Sequence, residues 1–375
     1  MVHLPEPLAS FERVPLLFDH PSPLHLLPRL SKHVEKISPA PVQVWIKRED
    51  CSSGIGLGGN KVRKLEYVFP SALNDGCNTI VTTGGVQSNH MRQVVAVANR
   101  LGLKTVLVPQ NPPKSNPEAY DVSGNVQVNK ILGAEYTKPG ITLEDAAASL
   151  RSNGQKPYII SSGASSHLYG GLGFARWAFE VVEQEQNLGV FFDFVVVPVA
   201  SGGTLGGMLA GFKLADRLQS SSSNDPAKKT RERKVIGIDT YNKPAGVLEA
   251  SILEIAQRTA RLIGLADGVV KPEDVVLDTR YNAGTHSGWS QSTAEAVRLL
   301  GRTEGIVADP IYSGRALGAI LDKAKLGEFA GGENVLLGNK MVNLIAYGDS
   351  GQSSELFARP IFMLWNSFCD KRLLI

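Results

Sequence analysis

Hydrophobic positions along this chain alternate between two rhythms. Short apolar runs bounded by glycine, proline or polar residues read as strands at 42–47, 78–85, 104–109, 157–163, 192–203 and 234–240. Between them, apolar residues recur every three to four positions, which predicts helices over 62–73, 88–103, 124–136, 143–154, 170–189, 204–218, 248–264, 291–303 and 315–325. Ser88 or Asn89 is placed to cap the second of these. The run FDFVVVPVASGG (192–203) is almost wholly apolar, as a strand is when both sheet faces are covered. Strands alternating with helices predict an α/β fold of two open parallel-sheet domains, with ligands bound at the carboxyl ends of the strands.

Composition narrows the class. A chain of 375 residues is long for one small core and suggests two domains, or one large domain with a lobe. Lys plus Arg is 39 against 36 for Asp plus Glu, a net charge of +3, so no basic footprint for nucleic acid appears. The densest basic run, KKTRERK (228–234), follows a Ser/Asn/Pro-rich stretch and reads as a solvated surface loop. No apolar run approaches the ~18–20 residues that cross a bilayer, and the opening stretch lacks a signal-peptide layout. Cys51, Cys77 and Cys369 are odd in number and widely spaced, which suits neither a disulfide framework nor a zinc site. A cytoplasmic protein without membrane or nucleic-acid partners is the expectation.

Three motifs carry chemistry. GLGGNKVRK (56–64) is close to a nucleotide-binding loop but fails twice: Asn60 stands where the lysine should be, and Val62 follows Lys61 where a hydroxyl is needed. VVVPVASGGTLGG (195–207) runs from a strand through Ser201, Gly202, Gly203 and Thr204 into a helix. Close backbone approach and a helix N-terminus make this a phosphate site. TGGVQSNHMRQ (83–93) places Ser88, Asn89 and His90 at a helix start, more polar groups than capping alone requires. A desolvated Lys61 on a flexible glycine-rich backbone would be a nucleophile toward a carbonyl, and a nearby phosphate site would hold the tail of the same molecule. Pyridoxal 5'-phosphate, an aldehyde with a phosphate tail, fits both.

Longer stretches then resemble one family. KREDCSSGIGLGGNKVRKLEY (47–67), TTGGVQSNHMRQVVAVANRLGLKTVLV (82–108), YGGLGFARWAFEV (169–181), SGGT (201–204) and RTEGIVADPIYSG (302–314) are similar to the 1-aminocyclopropane-1-carboxylate (ACC) deaminases and D-cysteine desulfhydrases. The resemblance runs from about Phe11 to about Phe329. It implies a pyridoxal-phosphate enzyme of fold type II, tryptophan synthase β-like and usually homodimeric. Residues 1–64 and 175–375 would form a large cofactor domain and 65–174 a smaller mobile one. It implies that Lys61 forms the Schiff base with the cofactor and that Asn89 bonds the ring hydroxyl. Ser88, Asn89 and His90 would meet the carboxylate of a small amino-acid substrate, with Ser88 also close to the chemistry. Ser201, Gly202, Gly203 and Thr204 would hold the phosphate, and Tyr312 would stand near the reacting carbon.

Ser313 bears on the reaction. ACC deaminases resemble Tyr-Glu-Gly at positions 312–314, with the glutamate near the pyridine nitrogen; desulfhydrases carry Ser or Thr. A neutral hydroxyl makes a weaker electron sink, so Ser313 favours β-elimination from D-cysteine, giving pyruvate, sulfide and ammonia. The alternatives are ACC ring opening to 2-oxobutanoate and ammonia, and a cofactor-binding protein with little catalysis. Two departures motivate the last. His286 falls where the family has a second tyrosine, and would replace it as a proton donor or acceptor with an unperturbed pKa near ~6.5 rather than about 10. Tyr281, five residues upstream, is a partial substitute. Residues 338–358 stand where the family places a loop over the cofactor ring.

Overall fold

The computed structural model describes residues 2–110, 122, 124–222, 231–282, 284, 290–330 and 334–339. Ten strands are described: β1 (Leu24–Leu26), β2 (Gln43–Arg48), β3 (Thr79–Gly84), β4 (Lys104–Pro109), β5 (Glu135–Tyr136), β6 (Pro157–Ile160), β7 (Phe194–Val199), β8 (Lys234–Asp239), β9 (Val276–Asp278) and β10 (Asn334–Asn339). The α-helices are α1 (Pro28–Val34), α2 (Lys61–Asn74), α3 (Asn89–Arg100), α4 (Asn125–Ile131), α5 (Leu143–Ser152), α6 (Leu172–Leu188), α7 (Gly203–Ser222), α8 (Val247–Leu262), α9 (Gln291–Glu304) and α10 (Ser313–Lys325). None of the described helices is long and apolar enough to cross a membrane.

The strands form two sheets, ordered β1-β2-β10-β7-β8-β9 and β5-β4-β3-β6. Every described pairing is parallel except β1 with β2, so the α/β reading holds with one antiparallel edge. β10, whose sequence partner lies almost 300 residues upstream, sits between β2 and β7, with Leu336 opposite both Trp45 and Val195.

The apolar composition of β7 follows from this position. Val195, Val197 and Val199 face a core built with α6, α7 and α8. Phe194 and Val196 face the opposite core, with Ile236, Val335 and residues of α1, α9 and α10. The four-stranded sheet has its own core, in which Ile80 and Ile160 pack with Leu65, Phe69, Val94 and Val97 of the flanking helices.

Several local expectations are corrected. The helix expected over 124–136 stops at Ile131, and Glu135–Tyr136 pair with β4 instead. The strand expected over 157–163 ends at Ile160, followed by a short 3-10 turn at Ser162–Ala164. Of the basic run 228–234, Arg233 is not solvated: it is buried, pairs with Glu185 at 2.6 Å, and lies over the rings of Phe191 and Phe212. Cys51 and Cys77 are free thiols.

Candidate active site

Most of the expected functional residues lie just beyond the carboxyl end of a parallel strand. Lys61 follows β2, Asn89 follows β3, and Gly202 to Thr204 follow β7. Ser162 to Ser165, beyond β6, join them.

Lys61 is the first residue of α2. The glycines before it let the loop turn tightly. Gly58 and Gly59 have φ of 67° and 117°, and a Cβ on Gly58 would stand 2.6 Å from the Asp50 carbonyl oxygen. Their backbone N–H groups donate to Ile55 O at 3.0 Å and Glu49 O at 3.1 Å. Gln93 of α3 reaches across and accepts from the N–H groups of Lys61 (2.9 Å) and Val62 (3.1 Å), satisfying two donors at the start of α2. The Lys61 ammonium is brought down to about 8 by burial alone. About a tenth of it is therefore neutral at pH 7, against a negligible fraction for an ordinary lysine.

One turn along α2, Lys64 is fully buried. Its Nζ donates to Gly163 O at 3.0 Å and to Ser165 Oγ at 2.9 Å. Ser165 Oγ in turn accepts from Gly203 N (3.2 Å) and pairs with Ser201 Oγ (2.7 Å). Asn60 Nδ2 stands 3.5 Å from Thr204 Oγ1. A Cβ added to Gly203 would come within 2.5 Å of Lys64 Nζ, so only glycine lets the α7 N-terminus approach this ammonium. A helix N-terminus, an ammonium and three hydroxyls converge here, which suits a phosphate. The sequence reading included Ser201 to Thr204 and missed Lys64 and Ser165. The former was legible as the lysine three residues after Lys61, on the same helix face.

At the start of α3, Ser88 Oγ caps the helix, accepting from Met91 N at 3.2 Å. Asn89 is buried; its Oδ1 accepts from Asn125 Nδ2 at 2.8 Å, and its own Nδ2 has no partner among the described residues. An orphaned buried donor beside the Lys61 helix fits the phenolic oxygen of pyridoxal phosphate. His90 is buried against β3, its Nε2 3.1 Å from Thr82 Oγ1. Burial first, then the positive charges of Lys61 and Lys64, pull it down to about 3. It is neutral at working pH and offers a substrate carboxylate no charge.

Tyr312 precedes α10. Its N–H donates to Asp309 Oδ1 at 2.5 Å, and Ser313 N donates to Asp309 Oδ2 at 3.0 Å. The Ser313 hydroxyl also bonds Asp309. Asp309 is fully buried; burial raises it, against the hydrogen bonds that lower it. Ser313 is thus coupled to a carboxylate and is not an isolated hydroxyl. Tyr281 is committed elsewhere: its OH donates to Asp322 at 2.7 Å, and burial first, then that bond, raise its pKa. His286 and residues 340–358 lie outside the described residues.

Between Lys61 and Lys64 on α2 is Arg63, which anchors the helix. Its guanidinium donates to Glu49 Oε2 at 2.5 Å, to Glu180 Oε2 at 2.8 Å and to Ser22 Oγ at 2.9 Å. Trp177 Nε1 donates to Glu49, and Lys47 pairs with Glu180. Burial opposes the charge on Arg63, and the two carboxylates more than restore it. On the same turn, Gly173 of α6 packs so closely that a Cβ there would lie 2.1 Å from Arg63 O.

Comparison with known proteins agrees with this geometry. Residues 16–339 match the family model described as pyridoxal-phosphate dependent enzyme. An ACC deaminase of Pseudomonas syringae pv. syringae (strain B728a) is 42% identical over 337 residues, covering 88% of this chain and 94% of that protein. The crystal structure of an ACC deaminase homologue superposes with a TM-score of 0.75 at 30% identity, over 91% of this chain and 96% of the other. A fungal L-serine ammonia-lyase from Rhizomucor miehei shares the fold alone, at 17% identity and a TM-score of 0.56, over 86% and 94% of the two chains. The fold is that of type II pyridoxal-phosphate enzymes, and the cofactor is pyridoxal 5'-phosphate. A buried lysine lowered by desolvation, an anion cradle, an orphaned amide donor and similarity over most of the length lead to one conclusion: the chain belongs to the pyridoxal-phosphate dependent enzyme family, with ACC deaminases among its relatives.

Proposed function

We propose that this enzyme deaminates ACC, opening the three-membered ring and releasing 2-oxobutanoate and ammonia at the expense of one water. The observation that carries this reading is the 42% identity, over 94% of its length, to a protein named as an ACC deaminase. It displaces the preference for D-cysteine that Ser313 gave from sequence.

When bound, pyridoxal phosphate supplies a ring that stabilises negative charge at the substrate's α-carbon. The residues supply the rest. Lys61, near neutrality at about 8, holds the cofactor by its amine and afterwards takes or returns a proton. Lys64, Ser165, Ser201, Gly202, Gly203 and Thr204 hold the phosphate, and Asn89 Nδ2 donates to the ring oxygen. Ser88 and Asn89 orient the substrate carboxylate by hydrogen bonds, with His90 as a neutral neighbour. Tyr312 is the proton donor to the carbon released by ring opening, and His286 is a second donor. Residues 65–174 act as the smaller domain that closes over the substrate, in a cytoplasmic homodimer.

A second reading, β-elimination from D-cysteine to pyruvate, sulfide and ammonia, is favoured by Ser313, a hydroxyl rather than a carboxylate at this position. The deciding experiment is a 2-oxoacid release assay on the purified enzyme with ACC and D-cysteine side by side. Turnover of ACC with a higher kcat/KM supports the first reading, and turnover of D-cysteine alone overturns it.

A further inference from the structure

We infer that Asn125, oriented by Arg92, is a positioning residue that sets which end of the Asn89 amide meets the cofactor. The inference rests on the proposed role of Asn89 and concerns two residues to which no role has been given above.

A primary amide is nearly symmetric in shape, and its two flips differ mainly in hydrogen bonding. Arg92, on the first turn of α3, breaks that symmetry. A guanidinium only donates, and Arg92 Nε donates to Asn125 Oδ1 at 2.8 Å. Asn125 must therefore turn its Nδ2 the other way. There, its two N–H groups meet Asn89 Oδ1 at 2.8 Å and the Gln87 carbonyl oxygen at 2.9 Å. The Gln87 carbonyl can only accept, which fixes the same direction from the far side. With its oxygen occupied, Asn89 has only Nδ2 left to offer, and this is the atom without a partner among the described residues. All three side chains are buried, with 2%, 2% and 7% of their surface exposed for Arg92, Asn125 and Asn89, so water does not compete for these bonds. The Asn125 backbone is pinned as well, its N–H donating to Gln87 Oε1 at 3.0 Å.

The direction matters chemically. The ring oxygen of pyridoxal phosphate carries negative charge when ionised and is matched by an N–H. A flipped Asn89 would set a carbonyl oxygen against it. The chain Arg92 to Asn125 to Asn89 therefore runs from α3 to α4 and back, and keeps a donor aimed at an acceptor.

The test uses Asn125→Asp in the full chain. A carboxylate still accepts from Arg92 but cannot donate, so Asn89 rotates to donate to it and turns its oxygen to the ring. Equilibrium binding is measured, by absorbance and fluorescence, for pyridoxal 5'-phosphate and for 3-deoxypyridoxal 5'-phosphate, which lacks the ring oxygen. Loss of one such bond weakens the first by about tenfold and leaves the second unchanged. Equal weakening of both, or of neither, overturns the relay, because a merely structural role does not discriminate between them. Asn125→Ala, which frees the Asn89 amide without reversing it, gives the same ratio test with a smaller selective loss should the carboxylate prevent folding. Asn89→Ala separates the layers of the argument. A selective loss there without one in the Asn125 variants overturns the relay alone. No selective loss in any variant overturns the role of Asn89 as well.

Discussion

Lys47 and Lys61 are both pulled down to about 8, for different reasons and with different consequences. Lys47 is fully buried, and burial lowers it against the opposing attraction of Glu180. Its ammonium pairs with that carboxylate and donates to Gln184 Oε1 and Ser22 O at 2.7 Å each. Lys61 has no paired carboxylate among the described residues, and burial alone accounts for its position. The first lysine is one corner of a closed network with Arg63, Glu49 and Glu180. The second is left uncompensated, which suits the nucleophilic role proposed for it. A lowered pKa therefore does not identify a reactive lysine; the partner list does.

The sharpest break in this comparison is removal of each amine. Lys61→Ala is expected to lower kcat/KM by at least about a thousandfold and to abolish the absorbance band of the covalently held cofactor, without unfolding the protein. The same loss in Lys47→Met, with the fold intact, would erase the distinction. Lys47→Met instead leaves Glu180 with one fewer counter-charge. It is expected to cost about 3 kcal/mol in urea unfolding while the cofactor band remains.

The third prediction uses pH. Between pH 7 and 9 the neutral fraction of Lys61 rises from about a tenth to about nine tenths. The rate of covalent capture of pyridoxal phosphate by the cofactor-free enzyme should thus rise about tenfold, followed by stopped-flow absorbance; a flat profile would mean that Lys61 is already neutral. The sign for stability is the same. A lysine lowered in the folded state binds fewer protons there than in the unfolded chain between about 8 and 10.5, so stability rises with pH across that window and Lys61→Ala removes its share. The smallest effect is at Gln93, which accepts from the first N–H groups of α2. Gln93→Leu is expected to cost about 1 kcal/mol and to raise the KM for cofactor more than it lowers kcat.

What the sequence revealed was what is local. Lys61 and the Ser201–Thr204 turn each sit in a short motif with its own signature, and β7 declared its double burial through composition. Lys64 and Ser165 meet across 101 positions, and Arg92 and Asn125 across 33, so no window along the chain displays either pair. Of the strands missed, β1, β5 and β9 have two or three residues, too few for an alternation to register, whereas β10, six residues long, was missed although its sequence carries the apolar run Val335–Leu337. Arg233 was misread for a related reason: a basic run looks solvated until Glu185 and two aromatic rings fold over it. Ser313 was read as a lone hydroxyl because Asp309, four residues earlier, reaches it only once the turn before α10 is formed.

The contact between Gly173 and the Arg63 carbonyl sets a limit for anyone redesigning this enzyme. The helix that carries Lys61 abuts α6 at the level of bare backbone, so there is no side chain to trim and no slack to take up. A library seeking new substrates should leave 47–64 and 173–180 untouched, so that the lysine stays in place.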